Sequence, residues 1–142
     1  MTDYYRIMAI DYGRKRIGIA VTDLMRIIVQ AKEHILNTNE EDVLNKINSF
    51  VISENIEKIV LGCPEENKQN ESLVKEINNF SLKLLELCKK EIVIVDESYS
   101  SVKAMDKMIE SGKKKKYRSQ KGNIDSFAAA IILEEYLQNE NY

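Results

Sequence analysis

Residues 6–22 read RIMAIDYGRKRIGIAVT. Arg6 to Ile10 is a short, mostly apolar run, and Arg16 to Thr22 alternates Ile17, Ile19 and Val21 with Gly18, Ala20 and Thr22. A period of two marks a strand with one face on the core. The link Tyr12-Gly13-Arg14-Lys15 is short and contains glycine, so the two strands are expected to form a hairpin. Asp11 sits where the first strand meets the turn.

Working outward, Ile27 to Val29 reads as a third strand. Thr38-Asn39-Glu40-Glu41 matches a capping box, and Val43, Ile47, Phe50 and Val51 supply the apolar stripe of the helix it opens. Ile59-Val60-Leu61 is a short strand ending at Gly62. Leu73, Ile77, Phe80, Leu84 and Leu87 mark one face of a long second helix. Ile92 to Val95 is a continuous apolar strand, as buried parallel strands tend to be. Val102, Met105, Met108 and Ile109 indicate a third helix closed by Gly112. A last, almost wholly apolar helix runs from Asp125 to Leu137. The expected fold class is α/β: a central mixed five-stranded sheet with helices on both faces. In such sheets ligands bind beyond the carboxyl ends of the parallel strands.

With 142 residues, 44% hydrophobic and 31% charged, one domain spanning 1–142 with a single core is expected. The longest apolar stretch, Phe127 to Leu133, is far shorter than the roughly 20 residues of a membrane span. No signal peptide is recognisable, so a cytoplasmic protein is expected. Cys63 and Cys88 lack the spacing and the histidine partners of a zinc site. The only histidine, His34, falls in a polar turn region and is given no role. A hydrolase built on a histidine base would have to rest on it alone.

Chemistry is concentrated in three acids. Asp11 and Glu97 follow apolar runs that read as strands, and Asp125 opens the apolar last helix. Each alone has an ordinary explanation, as a turn former or as an acid in a helix's first turn. Together they suggest one anionic pocket, which is costly unless a cation fills it. Mg²⁺ or Mn²⁺ held by carboxylates would support in-line hydrolysis of a phosphodiester. Gly13 and Gly62 would let a phosphate approach the backbone. Net charge is only −2, but residues 113–121 read KKKKYRSQK. Lys113, Lys114, Lys115, Lys116, Arg118 and Lys121 thus form a cationic block without an acid, suited to phosphates. Lys15 and Arg16 would add to the grip. Tyr12 and Tyr117 are either base-stacking or ordinary packed tyrosines.

Four stretches resemble the YqgF family of pre-16S ribosomal RNA processing nucleases, also described as Holliday-junction resolvase-like. They are IDYGRKRIGIAVTD (10–23), LGCP (61–64), VDESYSS (95–101) and KGNIDSFAAAIILEEYL (121–137). The resemblance spans nearly the whole chain. It implies an RNase H-like fold, catalytic and metal-binding roles for Asp11, Glu97 and Asp125, and structured RNA or branched DNA as partner. Two departures stand out. Ser98 replaces an arginine common after the family's Asp-Glu pair, with Lys103 one turn on. Glu65-Glu66 occupies a loop where the family has a small, glycine-containing turn. Other readings are a junction resolvase in recombination and a non-catalytic RNA-binding assembly factor. A phosphotransferase would need a second such domain to close a nucleotide cleft.

Overall fold

The computed structural model describes residues 3–96 and 121–140, with side chains from Ser126 onward in the second segment. Five strands form one sheet: β1 (Arg6–Asp11), β2 (Arg16–Thr22), β3 (Val29–Leu36), β4 (Ile56–Cys63) and β5 (Glu91–Asp96). Helices α1 (Glu40–Ser53), α2 (Glu71–Cys88) and α3 (Lys121–Glu140) complete the described elements. The helix expected over 102–109 lies outside the described residues.

The strand order is β3-β2-β1-β4-β5. β1 pairs antiparallel with β2 and parallel with β4, and β4 pairs parallel with β5. β1 is therefore the strand at which the sheet changes from antiparallel to parallel. Its residues from Ile7 to Asp11 are all buried.

Each face has its own core. Met8, Ile10, Ile17, Ile19, Ile59 and Leu61 meet Val43, Ile47 and Val51 of α1 and Ile77, Phe80 and Leu84 of α2. Each such aliphatic side chain contributes about 1.5–3 kcal/mol by leaving water. On the opposite face, Ile7, Ala9, Ala20 and Val60 meet Ala129, Ala130, Ile132, Leu133 and Tyr136 of α3. The alternation read in β2 thus separates the two cores: its large residues face α1 and α2, and Ala20 faces α3. Alanine against alanine lets α3 lie close to the sheet.

Several boundaries differ from the sequence expectation. β3 starts at Val29 and runs through the polar Lys32-Glu33-His34 stretch, so His34 lies in a strand and not in a turn. Its pairing slips: Ile17 faces Ile35, while Ile19 faces Lys32, which inserts one extra β3 residue. The α1 cap is Asn39, whose side chain accepts from the Asp42 amide, and not Thr38. α3 begins at Lys121, so Asp125 lies one turn inside it. In α2, Val74 joins the buried stripe, while Leu87 is exposed.

The β2–β3 turn is held by Asp23, whose carboxylate accepts from the amides of Met25, Ile27 and Ile28. The Ile28 amide leads in holding this carboxyl below its usual range. Arg26, at φ 58°, donates to the carbonyls of Asp3, Tyr5 and Leu24 and covers the Tyr5 ring.

The close seating of α3 has a direct test. Ala20→Leu should lower stability by about 1–3 kcal/mol through overpacking against α3. Urea denaturation measures this, and an unchanged midpoint would show that α3 does not press on Ala20.

Candidate metal and nucleic-acid site

Asp11 is the last residue of β1 and only 9% exposed. A carboxylate this deep needs compensating partners or a cation. It stands level with Gly18 of β2 on one side and Gly62 of β4 on the other. Both neighbouring positions lack side chains, which leaves room around the carboxylate. Gly62 is legible in the sequence from its place after an apolar run. Gly18 reads there only as the small residue of an alternating strand, because its register with Asp11 cannot be seen in one dimension.

Strand alternation puts Asp11 on the same face as Ile7 and Ala9, which is the α3 face. The far end of α3 is anchored on β4. Lys58 Nζ, near the start of β4, donates to Tyr136 Oη at 3.0 Å. That bond, with Glu91 assisting, holds the Lys58 ammonium above its ordinary range. A helix rises about 1.5 Å per residue, so the Asp125 backbone lies roughly 16 Å up the axis from Tyr136. Lys58 to Gly62 spans roughly 13 Å of strand. From that anchor α3 packs mainly across β2, β3 and β1. Asp125 is described as a backbone position in the second turn of α3.

β5 ends at the same edge. Val95 is level with Gly62, and Asp96 with Cys63. Val95 packs on the α3 face, so the exposed Asp96 points to the other one. Glu97 lies outside the described residues, as do Ser98, Lys103, Lys113, Lys114, Lys115, Lys116, Tyr117 and Arg118. Lys121 is described only as the first residue of α3. Among the described residues no three acids, histidines or cysteines come together as a metal cluster.

One buried polar group of α3 bears on cation chemistry. Ser126, next to Asp125, is 4% exposed, and its Oγ has no hydrogen-bond partner among the described residues. An orphaned buried hydroxyl costs about 1–3 kcal/mol. Carboxylate and hydroxyl oxygens are donors of the kind that suits hydrated Mg²⁺ or Mn²⁺.

The hairpin after Asp11 is tightly built. A Cβ at Gly13 would stand 2.4 Å from the Arg16 carbonyl oxygen, so only glycine fits. Lys15 is exposed, and Arg16 is half-buried at the start of β2. Tyr12 packs on Phe80 of α2 with ring centres 5.0 Å apart, which makes it a core residue and not a base-stacking one. Arg14 ion-pairs with Glu76, and Asn37 bonds the turn from the end of β3. Neither contact is legible in the sequence, because both partners are distant along the chain.

After β4, Asn67 and Asn70 organise the loop. Asn67 Oδ1 accepts from the amides of Gln69 and Asn70, and Asn70 Nδ2 donates to the Glu65 carbonyl. The Glu65 and Glu66 side chains are left exposed near the Asp11 end. No helix among the described residues is long and apolar enough to cross a membrane.

Residues 5–139 match the family described as RuvX: Holliday junction resolvase. A Bacteroides fragilis protein named "Putative pre-16S rRNA nuclease" is 39% identical over 137 residues, covering 95% of this chain and 97% of that one. A Bacteroides thetaiotaomicron protein of the same name is 37% identical over 139 residues, covering 96% and 99%. Among solved structures, T. thermophilus RuvC in complex with Holliday junction substrate superposes with a TM-score of 0.65 at 12% identity. It covers 96% of this chain and 97% of that one. The fowlpox virus resolvase in complex with junction DNA superposes with a TM-score of 0.61 at 13% identity, covering 95% and 98%. At such identities these structures speak for the fold, which is RNase H-like.

The glycine turn yields a prediction. Gly13→Ala should cost about 1–3 kcal/mol, because the added carbon meets a backbone oxygen that cannot move freely. Thermal denaturation alongside nucleic-acid binding checks it, and wild-type values in both would refute the close approach.

Proposed function

We propose a function from the premise that this chain belongs to the RuvX family of Holliday junction resolvases, and is therefore a nuclease of RNase H-like fold. The proposed reaction is endonucleolytic hydrolysis of phosphodiester bonds in structured RNA. The proposed physiological step is maturation of the 5′ end of precursor 16S rRNA, carried out in the cytoplasm by one domain of residues 1–142. The relatives' name supports that substrate. The resolvase family keeps branched DNA as the second reading.

The observation that carries the chemistry is the buried Asp11 at the end of the switch strand, with glycines level with it on both sides. Asp11, Glu97 and Asp125 would hold Mg²⁺ or Mn²⁺. When bound, such ions polarise the scissile phosphate and lower the pKa of an attacking water. Asp11 supplies a fixed carboxylate on a strand that is buried along most of its length, so its position does not depend on a loop. Gly18 and Gly62 leave the approach beside it clear. Lys15, Arg16, the cations of residues 113–118 and Lys121 would bind the backbone away from the reacting phosphate.

Two experiments test this. Purified protein with Mn²⁺ or Mg²⁺ should cut a small-subunit rRNA precursor, and Asp11→Asn should reduce cleavage by at least about a thousandfold while leaving the melting temperature near wild type. Cleavage at the wild-type rate in that variant would refute the metal-site assignment, and cutting of a four-way DNA junction alone would favour the second reading. Replacing Lys113 to Lys116 with alanine should reduce the slope of log K against log salt by roughly three to four, about 0.7–0.9 for each phosphate no longer neutralised. An unchanged slope would remove the block from the binding surface.

A further inference from the structure

The slip in the β2–β3 pairing lies beside a cleft on the sheet face opposite to Asp11. Regular pairing from Ile17 and Ile35 would set Glu33 across from Ile19, and Lys32 stands there instead. Glu33 and His34 together span the single Gly18 of β2, which makes a β-bulge. Lys32 and Ile35, three residues apart, would lie on opposite faces of a regular strand. The bulge puts both on the face that meets α1. Between this stretch and α1 lies a cavity of about 570 Å³. Small-molecule sites run to roughly 300–1,000 Å³.

The walls of the cleft differ in kind. Met8, Ile19 and Ile47 form a buried apolar floor, and the half-buried Phe50 adds a ring. Lys32 of β3 and Lys46 of α1 supply ammonium groups from two sides. Neither makes an ion pair or a side-chain hydrogen bond among the described residues. Glu33 lines the same cleft and Asp42 lies one turn before Lys46, yet neither carboxylate pairs with these lysines. Two ammonium groups against one carboxylate leave the cleft cationic above an apolar floor. Lys32 is half-buried, so its charge is partly removed from water without a counterion. An anion seated beside it would supply one.

We propose that this cleft binds a small amphipathic anion. Lys32 and Lys46 hold its acidic group, and Met8, Ile19, Ile47 and Phe50 receive a flat apolar body. The apolar floor supplies affinity through burial, and the lysines select for charge. Lys32 carries more of that selection than the exposed Lys46, because its ammonium is the less hydrated of the two. Asp11 takes no part, since it lies on the α3 face, so the site stands apart from the nuclease reading.

The test uses the full-length protein and two probes that share one aromatic body. 8-Anilinonaphthalene-1-sulfonate is anionic, and N-phenyl-1-naphthylamine is neutral. Methyl labels on methionine and isoleucine report where each probe sits. The sulfonate should shift the Met8, Ile19 and Ile47 methyl resonances along one saturating curve, while the exposed Met25, Ile27 and Ile52 stay in place. The neutral probe should bind the same methyls on the order of tenfold more weakly. Lys32→Met keeps the side-chain length and removes the charge. It should bring the sulfonate down to the affinity of the neutral probe and leave the neutral probe unchanged. Lys46→Met should do the same to a lesser extent, and Lys75→Met, an exposed lysine of α2, should change neither. Melting temperatures near wild type show that the variants keep the fold. Equal affinity for the two probes, or an unchanged sulfonate affinity in Lys32→Met, would overturn the proposal. So would shifts confined to the exposed methyls, or none at Met8, Ile19 and Ile47.

Discussion

Most of the architecture depends on β1 having two unlike neighbours. It pairs antiparallel with β2 and parallel with β4, so it is buried against a strand on each side and a helix layer on each face. A strand so enclosed has little freedom to shift, because a slip of one residue would exchange its two core faces. Its last residue inherits that rigidity. Asp11 is held by the ladder and not by a loop, and the glycines across from it are fixed by the same register. Small residues on β1 and β2 let α3 lie close to the sheet.

The elements most legible in the sequence are those whose local pattern agrees with their surroundings. Ile17, Ile19 and Val21 alternate with smaller residues because one face meets two helices and the other meets α3. The hairpin is legible because Gly13 is required by a contact three residues away. β3 reads too short because an edge strand is half solvated, and its extra residue near Glu33 and His34 breaks the period of two. The start of α3 reads late because Lys121-Gly122-Asn123 resembles a turn when helix formation is judged locally. Thr38 and Asn39 are both good caps, and only the path of the chain selects Asn39.

The candidate site divides in the same way. Asp11 is legible as a charge at the end of an apolar run, and its depth and glycine neighbours support the role assigned to it. Tyr12 is open to two explanations in the sequence, and the Phe80 contact decides for packing. Asn37 carries no signal, since its partner at Gly13 is 24 residues away and asparagine after a strand is ordinary turn chemistry. Arg14 looks like one more cation in a basic segment, yet Glu76 and Ser72 commit its guanidinium to α2.

The slipped pairing along β3 has a consequence for the molecule in a crowded solution. β3 closes one side of the described sheet, and a flat outer strand there would invite another chain to add to it. Here the strand steps out of regular spacing between Lys32 and Ile35, and Lys32 stands on the inner face opposite Ile19. An incoming strand would have to follow the step and strip water from an ammonium group. The cost of that misfit works against cross-β growth and keeps the sheet from serving as a template for its own aggregation.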